Sequence, residues 1–133
     1  MRTRTAAIAL CAAALTACSG DPTPPAYTVT NQGERQIQQG TAGWAELHMP
    51  NATVDQAQDA IRAYGKTISS DATMYEVAVV RDTTTTVHGR PATSYVCMGR
   101  WVKDEQASQA WTGGSITSTT WPAIGMNCPS RQA

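Results

Sequence analysis

The sequence predicts an α+β domain over residues 27–133, a small antiparallel sheet with one main helix on one face. Three observations carry that expectation. Residues 44–49 alternate apolar and polar side chains with the period of a strand, and residues 54–68 repeat apolar side chains at three and four, the period of a helix. Residues 74–81 are rich in β-branched side chains, as a buried strand requires.

Taken in order, residues 27–30 alternate and predict a short edge strand, closed by the turn signal Asn31-Gln32-Gly33. Residues 36–39 carry little structural information. In the first main strand, Ala45, Leu47 and Met49 fall on one face and Trp44, Glu46 and His48 on the other, because successive side chains alternate. Pro50 lacks the N–H that a ladder needs and ends that strand. Thr53-Val54-Asp55-Gln56 is a capping box, in which the Thr53 hydroxyl and the Gln56 amide each satisfy a free backbone N–H. A helix therefore starts at Val54. Its stripe of Val54, Ala57, Ile61, Tyr64 and Ile68 faces the core, while Asp55, Asp59, Arg62 and Lys66 point elsewhere. Gly65 weakens it locally by up to about 1 kcal/mol, and Ser69-Ser70-Asp71 supplies its exit.

After the buried strand, residues 82–89 predict a polar hairpin loop, with Thr83, Thr84, Thr85 and Thr86 suited to extending the strands instead. Residues 93–102 predict a third strand with Tyr95, Cys97 and Trp101 on one face. Residues 104–111 predict a short helix stopped by Gly113-Gly114, residues 115–121 a fourth strand, and Pro122 an irregular tail that returns Cys128 to the third strand. The order strand, helix, strand, strand, helix, strand matches the ferredoxin-like plait, β-α-β-β-α-β with its helices on one face. Without the last helix and strand, a three-stranded sheet with one helix remains.

Ahead of the domain, Arg2 and Arg4 precede an unbroken apolar run over residues 6–14 that soon gives way to Ser19-Gly20-Asp21, the organisation of a secretory signal. Crossing about 30 Å of hydrocarbon takes roughly 20 apolar residues, so this run is too short to span. Leu15-Thr16-Ala17-Cys18 resembles the lipobox of bacterial lipoproteins. That resemblance covers residues 1–18. It implies a signal peptide over residues 1–17 that is cut before Cys18, and a thiol at Cys18 that then carries a diacylglyceryl group. Cys11 leaves with the signal peptide. Two or more acyl chains hold a protein durably on a membrane, so the implied location is the extracytoplasmic face of the cell membrane. Residues 18–26 follow as a proline-rich stalk, which at about 3.1 Å per residue holds the domain roughly 25 Å from the bilayer. Abundant Ala, Thr and Arg, two lysines and no Phe suit a GC-rich genome, and with it an actinomycete-type envelope.

Two cysteines remain in the domain, and an exported chain meets an oxidising compartment. A Cys97 to Cys128 disulfide is the economical reading, with a metal pair or a reactive thiol as alternatives that lack a Cys or His at ligand spacing. Loss of Arg2 and Arg4 leaves eight basic groups against ten acidic ones, and no basic face indicates nucleic acid. No nucleophile elbow, Walker loop, dinucleotide fingerprint, Cys-x-x-Cys or His-Glu-x-x-His occurs. Neither a catalytic set, a metal site nor a cofactor is expected.

Glu46 and His48 project from one strand face and suit proton sharing or metal binding, so a small envelope hydrolase or metal enzyme, with His88 as a third group, is the alternative. Asp82, His88 and Arg90 flank the threonine-rich stretch, where a surface turn with ordinary charges is expected and a polar pocket is the alternative. Trp44, Trp101, Trp111 and Trp121 are a heavy load that replaces Phe in the core, with Trp44 the best candidate for an exposed contact. The expectation is a tethered binding protein that meets an envelope protein or glycan through Trp44, Glu46 and His48. An inhibitor or exclusion factor carried by a phage or plasmid is a further reading.

Overall fold

The computed structural model describes residues 26–129. The expected signal segment, Cys18 and all of the expected stalk except Ala26 lie outside the described residues. The elements run β1 (Thr28–Ile37), β2 (Gly40–His48), α1 (Val54–Gly65), β3 (Ala72–Val87), β4 (Arg90–Val102), α2 (Glu105–Thr112) and β5 (Ala123–Asn127).

All five strands form one sheet in the order β1-β2-β3-β4-β5. It is mixed: β2 and β3 are parallel, and the other three pairs are antiparallel. The all-antiparallel expectation is thereby corrected, because α1 carries the chain back along the sheet before β3 begins, and strands joined by such a crossover run the same way. The plait's split order is absent too. β2 and β3 are direct neighbours, with no strand inserted between them.

The capping box forms as expected: the Gln56 N–H donates to Thr53 Oγ1 at 3.2 Å and the Thr53 N–H donates to Gln56 Oε1 at 3.1 Å. Thr53→Ala is expected to destabilise the domain by about 1 kcal/mol. A lower urea midpoint at unchanged slope would show it. Ala57, Ala60, Ile61 and Tyr64 are buried against Leu47, Val77, Val79, Cys97 and Trp101 of the sheet. A Cβ on Gly99 would run into the Ile61 side chain. The missing side chain at Gly99 is what lets α1 seat directly on β4.

Elsewhere the strands differ from their predicted extents. The Asn31-Gln32-Gly33 segment lies within β1, next to a bulge between Val29 and Asn31, and the turn falls at Gln38 and Gln39. Gly33 is used for contact there: it pairs with Trp44, whose indole fills the space a side chain would take. The threonines extend β3 up to a two-residue turn at His88 and Gly89, whose positive φ values of 50° and 77° match the twist of tight hairpins. In β4 a register shift opposite Val79 and Val80 leaves Val96 without a partner. That bulge turns Tyr95 away from the face that holds Cys97 and Trp101, correcting the expected grouping of the three.

The last strand is β5, Ala123–Asn127, and not residues 115–121. Ile124 pairs with Trp101 and Met126 with Gly99, so its apolar side chains complete the core under α1. Cys128 follows at once and is bonded to Cys97 on the adjacent strand. Asp104 caps α2 by accepting the Ala107 N–H at 2.8 Å, and Gly113, at φ 65°, ends it.

α2 does not join α1 on the core face. Ala42 and Val102 share a row facing away from the core, yet both are buried, as are Ala107 and Ser108 of α2, and all four stand outside the main core cluster. The Ser108 hydroxyl donates to the Ile116 carbonyl at 2.6 Å, and the Ile116 side chain lies over Gly125, on the face opposite Ile124 and Met126. The two helices therefore occupy opposite faces of the sheet, with α2 covering one end of the second face.

Candidate functional site: the open sheet face

Strand alternation in β2 places Trp44, Glu46 and His48 on the face that α1 does not cover, as expected. Each is held by a different neighbour. Trp44 lies across Gly33 of β1 and remains 41% exposed, against 4% for Trp101 in the core. Glu46 Oε1 accepts the Thr30 hydroxyl at 2.8 Å. His48 Nε2 is 2.7 Å from Asp82 Oδ1, a half-buried pair.

Rows across the sheet follow from its register. Trp44, Glu76 and Arg100 form one, with Arg100 Nε donating to Glu76 Oε1 at 3.3 Å; Glu46, Ala78 and Met98 form the next. His48, Val80 and Tyr95 form a third, and Tyr95 is 62% exposed. Two hollows flank Trp44. One of about 230 Å³ lies over Ala78 towards Tyr95, and one of about 200 Å³ lies between Arg35, Met74 and Glu76. A larger hollow, about 430 Å³, is elsewhere, beside the start of α1 between Asn51, Arg81, Asp82 and Ser94.

Glu46 and His48 do not act on each other: their partners are Thr30 and Asp82. His88 sits in the exposed turn that ends the β3 and β4 hairpin. Eight residues separate it from Val80, the partner of His48, which at about 3.3 Å per residue is on the order of 25 Å along the strand. The hydrolase or metal reading that joins His48 to His88 thus loses its geometry. The alternative of a polar pocket from Asp82, His88 and Arg90 does not assemble either, because the extended strands carry Asp82 to the His48 end and the other two to the exposed turn at the tip. Among the described residues, no group of three or more His, Cys, Asp or Glu is placed to hold a metal ion.

On the core face, Tyr75 donates to Glu34 Oε1 at 2.9 Å and Tyr64 to Gln32 Oε1 at 3.4 Å. Burial, reinforced by the bond to Glu34, raises the Tyr75 phenol far above its ordinary value, and burial also raises Tyr64. Both stay protonated at neutral pH and serve as packed hydrogen-bond donors.

Sequence reasoning missed Ala78, Tyr95 and Met98 as companions of Trp44. Alternation in β3 is a signal that places Ala78 beside Glu76 on one face, whereas the bulge that redirects Tyr95 has no local signature. No protein-family model, curated protein or solved structure matches this chain.

Proposed function

We propose that the protein is a lipid-anchored binding module of the bacterial cell envelope, held on the extracytoplasmic face of the membrane through Cys18 and meeting its partner with the open sheet face around Trp44. One observation carries this reading: a tryptophan 41% exposed in the middle of a sheet, seated over a glycine and away from the helix-covered core. A large aromatic side chain left in water forgoes its burial free energy, and such residues anchor interfaces. The envelope partner is a protein or a glycan. The stalk gives the face its reach, and the acyl chains confine the search for a partner to the membrane surface.

Two variants separate the anchor from the face. Cys18→Ser is expected to move the protein from the membrane fraction to the soluble fraction, and unchanged retention would refute the anchor. Trp44→Ala, at an exposed position, is expected to leave folding and retention intact while removing the species captured by in-cell cross-linking of the tagged, anchored protein. Capture that persists without Trp44 would move the binding surface elsewhere.

A further inference from the structure

We infer that the hollow beside Trp44 is a subsite for an organic ammonium group. The inference rests on the open face being the binding surface, and it adds the chemistry of what binds. The hollow exists because Ala78, in the central strand, lies between Glu46 and Met98 of the flanking strands and puts only a methyl group at its floor. Trp44 and Tyr95 stand at its rim, 41% and 62% exposed. Its volume of about 230 Å³ falls below the roughly 300–1,000 Å³ of sites that enclose a whole drug-sized ligand. It admits a head group, with the rest of the ligand outside.

Charge selects the head group. Of the two carboxylates at the hollow, Glu76 already faces Arg100 at 3.3 Å. Glu46 is oriented by the Thr30 hydroxyl at 2.8 Å, and among the described residues no Lys, Arg or His nitrogen lies within 4.0 Å of it. Arg35 lines the separate hollow on the other side of Trp44. A carboxylate held by Thr30, with no cationic side chain within 4.0 Å among the described residues and with an indole and a phenol lining the same hollow, is complementary to a cation with an apolar body. Ring faces attract such a cation within about 6 Å of their centres, and Ala78 and Met98 contact its carbon atoms. The same electrostatics disfavour carboxylates and phosphates. A neutral sugar stacked on Trp44 donates hydroxyls to Glu46 but brings no charge to neutralise it.

The test titrates the full-length protein in non-ionic detergent at constant ionic strength, following tryptophan fluorescence. The probes are choline, n-butylammonium and the neutral carbon isostere of choline. Saturable binding of an ammonium probe is expected, with the isostere about tenfold weaker, which is about 1.4 kcal/mol. Whichever ammonium binds tighter shows whether the natural head group is methylated or a primary amine, and either supports the subsite. Glu46→Gln, which keeps the acceptor for Thr30, is expected to weaken binding about tenfold, and Ala78→Leu, which fills the floor, to abolish it. Equal affinity for the isostere, indifference to Glu46→Gln, or no saturable response to either ammonium would overturn the assignment. If Trp44-dependent cross-linking survives such a result, the face still binds and only the cation assignment falls; if that cross-linking is absent too, both fall.

Discussion

Ile61→Asp is expected to abolish cooperative unfolding. Ile61 is fully buried, at the middle of the α1 stripe and directly over Gly99. Truncating a buried isoleucine costs about 2–5 kcal/mol from lost transfer and packing. A carboxylate put there has no partner and must either be desolvated as a charge or be protonated, which adds several kcal/mol. Domains of this size are stable by only about 5–15 kcal/mol, so the sum removes most or all of the margin. Urea unfolding followed by circular dichroism would show a broad, non-cooperative loss of signal. A modest midpoint shift would mean that α1 packs with another face. Arg62, one residue on, is the control: its pair with Asp59 at 3.2 Å is exposed, so Arg62→Ala should change stability by less than about 1 kcal/mol.

Loss of the Cys97 to Cys128 bridge is expected to be nearly as costly. The bridge closes a loop of sequence separation 31. Restricting an unfolded chain over that length contributes about 3–4 kcal/mol in the entropic account. It also ties the five-residue β5, an edge strand, to β4, and β5 supplies Ile124 and Met126 to the underside of α1. Cys128→Ser is the cleaner variant, because Cys97 is fully buried and a hydroxyl there would add its own desolvation cost. The urea midpoint of Cys128→Ser should fall well below that of the unaltered protein, and reductant should bring the unaltered protein down to the same value. Two alkylatable domain thiols in the purified protein, or equal midpoints, would show that the bridge does not form.

Both effects concern the layer that α1 covers, and they bear on the open face only through rigidity. Trp44, Glu46 and Ala78 keep their spacing because β2 and β3 are clamped from the core side. A cooperative core holds the rim of a shallow hollow in place without a helix over it. Substitutions on the open face can therefore be read as binding effects once the unfolding midpoint is shown to be unchanged.

What the sequence determined by itself was local and periodic. The alternation in residues 44–49 assigned Trp44, Glu46 and His48 to one face, and the stripe from Val54 to Tyr64 assigned the buried side of α1, because each period maps residues directly onto faces. The cap at Thr53 and the stop at Gly113 were legible for the same reason: they satisfy or end hydrogen bonding within one turn. Only the tertiary structure decided which strands are neighbours, that β5 begins at Ala123, that α2 crosses to the second face, and that a bulge at Val96 puts Tyr95 on the same face as Trp44. The pairs His48 with Asp82 and Glu46 with Thr30 likewise join residues 34 and 16 apart in the chain. Those outcomes depend on which long-range pairing buries the most apolar surface while leaving the fewest backbone groups unbonded. That is a property of the whole sheet and its two covers, which no short window of sequence contains.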